Sequence, residues 1–340
     1  MVKDEFESLG LFDRYLTLWI FASMGIGLIL GRLFPTLGPA LDSIKVAGIS
    51  IPISLGLFFM IYPIMVKIKF SDILNVFNAP KPLLLTLLFN WAVKPFFVAA
   101  LAYLFLRNYP QYMAGVILLG IAPCTASVLF WNHVAEGDDA SGVLMVAVNS
   151  LMILILYPPL ASVLLGVGDV PVPFLALASS VGVFVGLPMV LGYISKKELV
   201  KRKGEEWFET RYLIWTKDMG MIGLLGTLIL LFSFKGELIL TQPFIVLLIS
   251  IPLVIEFFSI YGLAHYISWL KGLSYEEATP VSLISSSNNF EVAIAVAITV
   301  FGIDSGAAFA TVVGPLIEVP IMLALVKISL RTKHIFKGGA

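Results

Sequence analysis

The chain has 340 residues, of which 59% are hydrophobic and 13% charged, and its mean hydropathy is +0.97. A soluble domain carries about 25% charged residues because its core needs a polar skin, so this composition excludes a soluble globular protein and points to an all-α integral membrane protein. The formal net charge is zero and identifies no partner, and a single cysteine excludes an internal disulfide.

The N-terminal run Met1-Val2-Lys3-Asp4-Glu5 is acidic and is followed by no small-residue cleavage site. It does not read as a secretory signal peptide, so the first apolar segment is expected to stay as the first span. Ten segments reach spanning length. The first five are Tyr15–Phe34, Val46–Val66, Leu83–Leu106, Tyr112–Trp131 and Ala140–Gly166. The second five are Phe174–Ser195, Asp218–Phe234, Pro243–Trp269, Thr279–Phe301 and Gly306–Leu330. The longest polar island, Lys196 to Lys217, reads as the loop that separates the two halves.

Lys and Arg placement orients the spans. Lys3, Arg14, the cluster from Lys67 to Lys81, the island from Lys196 to Arg211, Lys271 and the residues from Lys327 to Lys337 share one side. Only Arg32, Lys45, Arg107 and Lys235 fall on the other. Both termini are therefore expected in the cytoplasm, with the protein in the cell membrane. Five is an odd number of spans, so the second half has inverted topology. The expected architecture is ten transmembrane helices in two inverted five-helix repeats, residues 1–170 and 171–340, forming a single membrane domain.

The fourth span of each half is interrupted. Span four contains Gly120-Ile121-Ala122-Pro123-Cys124-Thr125-Ala126-Ser127, and span nine contains Ser285-Ser286-Ser287-Asn288-Asn289-Phe290-Glu291, about 165 residues further on. Pro123 removes a backbone donor, and the Ser/Asn run offers side chains in place of missing backbone partners. Interrupted spans at matching positions of two halves are the best sequence pointer to a transporter binding site. Two breaks that cross bring four helix ends together, two partly positive and two partly negative. Such a locus can hold an ion and a small polar solute. The plainer alternative is a proline kink in one helix and interhelical serine bonds in the other.

Glu291 lies near the middle of the ninth span, where a carboxylate is costly and usually functional. It fits a protonatable coupling group or a sodium ligand, with Ser287 and Asn288 beside it. Lys94 is about 16 Å into the third span by helical rise, too deep to reach water easily. It needs an acidic partner, and Glu256 in the eighth span and Glu318 in the tenth are the candidates. Cys124 is a soft sulfur ligand at the expected break; its bland reading is a small packed hydrophobe. Asn149 in the fifth span is polar and near the same depth, as a ligand or an interhelical bond. Thr125 follows Cys124 on the break.

The run from Ser285 to Ala297 resembles the ninth-helix signature of arsenite-efflux carriers of the arsenical-resistance type, which belong to the bile acid/sodium symporter superfamily. Gly302-Ile303-Asp304-Ser305-Gly306, Gly314-Pro315-Leu316-Ile317-Glu318-Val319-Pro320, the run from Gly56 to Pro63 and the pair Asn90-Trp91 are similar to the same family. The resemblance implies ten helices, two crossed broken helices, and export of trivalent arsenic or antimony hydroxides. It maps an essential helix-four cysteine onto Cys124 and a helix-nine glutamate onto Glu291. The best-known members carry arginine directly before that cysteine, whereas here it is Pro123, as in a divergent branch.

The function expected is secondary active export of arsenite, with antimonite as a further substrate, by proton antiport. The substrate-binding set is Pro123, Cys124, Thr125, Asn149, Asn288, Asn289 and Glu291. The alternative is sodium-coupled uptake of a small organic anion or bile-acid-like solute. An enzyme is disfavoured, since no His-Glu-x-x-His or Gly-x-Ser-x-Gly motif is present and His133, His265 and His334 are scattered. A channel pore built from rings of ligands fits paired broken helices poorly. No cofactor, resident metal or nucleic-acid partner is expected; the expected partners are the metalloid, a proton or sodium ion, and the lipid bilayer.

Overall fold

The computed structural model describes residues 16–34, 36, 43–46, 49–67, 81–125, 127–168, 170 and 172–336. The N-terminal acidic run and the expected positions of Lys3, Arg14, Tyr15, Lys69 and Lys337 lie outside these. In chain order, α1 is Leu16–Leu33, followed by a short antiparallel pair, β1 Lys45–Val46 and β2 Ile49–Ser50, and then α2, Ile51–Lys67. Helix α3 is Lys81–Leu106, α4 Pro110–Ile121, α5 Ser127–Val134 and α6 Asp139–Val167. Helix α7 is Phe174–Lys203, α8 Glu205–Thr241, α9 Pro243–Leu270, α10 Tyr275–Ser286, α11 Phe290–Phe301 and α12 Gly306–Phe336. Among the described residues six helices, α3, α6, α7, α8, α9 and α12, are long and apolar enough to cross a membrane.

The helices fall into two compact units. One is drawn from Met1–Ile68 and Gly186–Pro243, the other from Lys69–Val185 and Phe244–Ala340. In the first unit α8 packs against α1 and α2, and the distal part of α7 packs on α2. Small residues permit the close approach: a Cβ on Gly31 would lie 2.3 Å from the Ser233 carbonyl oxygen, and one on Gly223 would lie 2.8 Å from the Met60 nitrogen. Without a hydrophobic drive between helices in lipid, such backbone proximity is what holds them together. Tyr62 of α2 joins α7 and α8, its Oη within 2.7 Å of both Ser195 Oγ and Tyr212 Oη.

The polar island differs from its expected form. Lys196–Lys203 continues α7 as helix, and α8 begins at Glu205, so the expected loop is a single residue, Gly204, at φ +86°. Lys, Arg and Glu are good helix formers, and their polarity interrupts an apolar run without interrupting a helix. For the same reason the seventh span is longer than the expected Asp218–Phe234: Lys217 and Asp218 sit inside α8.

In the second unit α12 packs on α4 and α11, α3 packs on α4, and α6 and α11 both meet the proximal part of α7. The ends of the half-helices are tied down. Asp138 caps α6 by accepting from the Ala140 and Ser141 amides, and Ser274 and Glu277 form a reciprocal capping box at the start of α10. The Asp138 amide donates to the Glu276 carbonyl at 2.8 Å, and Tyr275 Oη donates to the Ala135 carbonyl at 2.6 Å. The α5–α6 connection is thus pinned to the α10 N-terminus.

Candidate functional site

Both expected interruptions are breaks in the structure, and they meet. Helix α4 stops at Ile121, and Ala122 is extended at φ −89°, ψ 109°; helix α10 stops at Ser286, and Ser287 is extended at φ −79°, ψ 147°. Pro123 and Asn288 form an antiparallel bridge. The Asn289 amide donates to the Ala122 carbonyl at 2.7 Å, and the Cys124 amide donates to the Ser287 carbonyl at 3.3 Å. Non-helical backbone at membrane depth must satisfy its polar groups inside the protein. Here each break supplies what the other lacks.

Ser287 is the centre of the arrangement. Its carbonyl accepts from Lys94 Nζ at 2.6 Å as well as from Cys124 N–H, and its hydroxyl donates to Glu318 Oε1. The Asn288 amide points at the same Glu318 oxygen, 3.4 Å away, and Asn288 Nδ2 donates to Glu256 Oε2 at 3.1 Å. Asn289 faces both ways: its Nδ2 donates to Thr125 Oγ1 at 2.9 Å, and its Oδ1 accepts from the Val292 amide at 3.0 Å and so caps α11. The donor ends of α5 and α11 and the acceptor ends of α4 and α10 are assembled at one place.

Three carboxylates and one ammonium are buried around this bridge. Lys94 and Glu256 are 0% exposed, and Glu291 and Glu318 are each 2% exposed. Of the two partners open to Lys94, Glu256 Oε1 lies 3.8 Å from its Nζ, while Glu318 reaches it through Ser287. Lys94 is delivered by an irregularity in α3. Residues Phe89–Val93 form one π-helical turn, closed by Lys94 N–H donating to the Phe89 carbonyl, and Pro95 follows with no donor of its own. Single π-turns recur at functional sites. Glu256 lies four residues after Pro252 in α9, and Glu318 lies between Pro315 and Pro320 in α12. Each of these three buried charges therefore sits close to a proline within its helix.

Cys124 is 0% exposed, and its Sγ is 3.4 Å from Ser127 Oγ. Several buried polar atoms have no protein partner: Glu291 Oε2, Glu318 Oε2, Asn288 Oδ1, Asn149 Nδ2 and both side-chain atoms of Asn90. The bridge thus brings together Pro123, Cys124, Thr125, Ser287, Asn288 and Asn289, with Lys94, Glu256 and Glu318 bonded around it. Asn149 is held differently, by Trp91 Nε1 donating to its Oδ1 at 2.9 Å. Among the described residues no cluster of three or more His, Cys, Asp or Glu side chains has the disposition of a metal site. The π-turn has no counterpart among the expected features; its signal in the sequence is Pro95, whose absent amide disturbs the preceding helical turn.

The profile of the Sodium Bile acid symporter family matches residues 54–242. The "Uncharacterized transporter slr0944" of Synechocystis sp. is 45% identical over 348 residues, covering 97% of this chain and 91% of that protein. The "Arsenical-resistance protein Acr3" of Alkaliphilus metalliredigens is 43% identical over 347 residues, covering 98% and 97%. A protein of the same name from Corynebacterium glutamicum is 37% identical over 323 residues, covering 92% and 87%.

Proposed function

The chain belongs to the sodium bile acid symporter family of membrane transporters, and from that premise we propose that it exports trivalent arsenic as arsenite. The observation that carries the reading is the position of Cys124, buried on one break and hydrogen-bonded through its amide to the other. Two relatives similar over nearly their full length are named arsenical-resistance proteins.

The chemistry follows from the cargo. Arsenite in neutral water is an uncharged trihydroxide, so an attractive field alone holds it poorly. A thiol distinguishes it from an ordinary small alcohol. The Cys124 sulfur forms one S–As bond, and one arsenic hydroxyl leaves with the thiol proton as water. Hydrolysis of that bond on the far side returns the thiol and the trihydroxide. A lone thiol makes the bond exchangeable, as a carrier needs. Antimonite has the same chemistry and is a second cargo. Asn288 Oδ1 and Asn149 Nδ2, which have no protein partner, suit the remaining hydroxyls. Asn289 already joins and caps the breaks with one N–H and one lone pair of its amide, and its second N–H is left for a hydroxyl.

The driving ion in this reading is a proton carried in exchange by Glu291, whose Oε2 has no protein partner. The architecture proposed is ten spans in two inverted repeats, 1–170 and 171–340, with both termini cytoplasmic. The division into units supports it, since each unit draws consecutive helices from both halves of the chain.

The deciding experiment uses everted membrane vesicles with imposed proton or sodium gradients and arsenite, antimonite or taurocholate as solute. Arsenite accumulation driven by the proton gradient is expected. Sodium-driven movement of taurocholate with no movement of arsenite would instead establish the organic-anion reading.

A further inference from the structure

We propose that the Lys94 ammonium is a resident cation, occupying the place where a free monovalent cation would bind between Glu256 and the α10 break.

The ligands at this place are of the kind an alkali cation takes: hard oxygens, one a backbone carbonyl and one a carboxylate. The Ser287 carbonyl closes the C-terminal end of α10, a helix of 12 residues, and carries the partial negative charge of that end. It accepts from Lys94 Nζ at 2.6 Å, the short distance of a charge-assisted bond. Glu256 Oε1 has no hydrogen-bond partner and faces the ammonium at 3.8 Å, while the other oxygen of the same carboxylate is held by Asn288. The side chain that fills this place is 0% exposed and enters from α3, directly after the π-turn.

Two carboxylates and a helix end facing one another in a buried space need positive charge. A dissociable ion could supply it and would then arrive and leave with each cycle. A lysine supplies it permanently. Sodium therefore finds this place already filled, although the family description names a sodium symporter. Lys94 frees the protein from that ion by making the cation part of the chain.

The test is thermal unfolding of the purified full-length protein in sodium, potassium, methylammonium or choline chloride at equal ionic strength, with no arsenite present. The wild-type midpoint should be the same in sodium and in choline. Lys94→Ala removes the cation and leaves its space. Its midpoint should fall in choline and rise by several degrees, saturably, with sodium, potassium or methylammonium. Lys94→Met fills the space with an apolar chain and should fall without rescue. A saturable sodium stabilisation of the wild-type protein that is lost in Glu256→Gln overturns the proposal, as does a Lys94→Ala protein that no small cation restores. Because no arsenite enters the measurement, failure here leaves the metalloid reading standing, and failure of that reading leaves this result intact.

Discussion

Asn289 Nδ2 donates to Thr125 Oγ1 at 2.9 Å, so two side chains from opposite halves of the chain join the two helix breaks directly. The same Asn289 caps α11 through Oδ1. Asn289→Ala removes a cap worth about 1 kcal/mol and leaves a buried hydroxyl short of its donor, at about 1–3 kcal/mol. The expected loss is therefore about 2–4 kcal/mol in unfolding free energy. Asn289→Ser keeps a cap oxygen and loses the amide donor, so it should fall between the alanine variant and the wild type. A double-mutant cycle with Thr125→Val measures the coupling; strict additivity would show that the bond contributes nothing.

Cys124→Ala should abolish arsenite resistance while leaving the amount of protein in the membrane unchanged. Cys124→Ser should do nearly the same, because it preserves size and polarity and removes only the softness of sulfur. Export by the serine variant at the wild-type rate would remove sulfur ligation from the mechanism.

Glu291→Gln keeps the shape of the side chain and removes its charge. Coupled transport should be lost with folding retained, since Glu291 Oε2 has no structural partner to lose. The check is vesicle transport under a proton gradient alongside size-exclusion behaviour in detergent. Unchanged transport and pH dependence would exclude the coupling role.

Lys94→Met breaks a buried ion pair and should cost about 3–5 kcal/mol. Adding Glu256→Gln removes the charge left behind and should recover part of that loss, because glutamine still accepts from Asn288 Nδ2. Adding Glu318→Gln instead should recover less, as Glu318 is hydrogen-bonded to Ser287 and it is Glu256 that lies 3.8 Å from the ammonium. Equal recovery by both would show that the charge is shared rather than paired.

A cysteine placed at Lys203 on the Cys124→Ala background tests orientation. An impermeant thiol reagent should label it in everted vesicles and not in intact cells. Labelling from outside intact cells would reverse the topology drawn from Lys and Arg placement.

The breaks were legible in the sequence because Pro123 and the Ser-Ser-Ser-Asn-Asn run are out of keeping with a spanning helix. That the breaks satisfy one another was not, since a bridge between residues 123 and 288 is a relation in space that neither segment encodes alone. Lys94 announced its need for a carboxylate by its depth, but Glu256 and Glu318 are alike in sequence, and only the packing of α3, α9 and α12 separates them. Asn289 read as a ligand, and its second task of joining Thr125 to the α11 cap is a relation in space that the sequence does not carry. Hydropathy also hid the helical character of Lys196–Lys203, because it measures affinity for lipid and not the preference of the backbone.

The bridge also explains the order of residues at the first break. Its two hydrogen bonds use the groups flanking Pro123 and Asn288, namely the carbonyls of Ala122 and Ser287 and the amides of Cys124 and Asn289. The nitrogens of the bridged pair themselves face away from it. On one strand that outward nitrogen is the Asn288 amide, which meets Glu318; on the other it belongs to proline, which has no hydrogen to offer. Proline is therefore harmless at position 123 and would delete a bridge bond one position later. Exchanging Pro123 and Cys124, so that the thiol came first and the ring second, would leave the composition of the motif untouched and remove the amide that donates to Ser287. What the bridge requires is an amide hydrogen at position 124, and it leaves position 123 open to a residue without one.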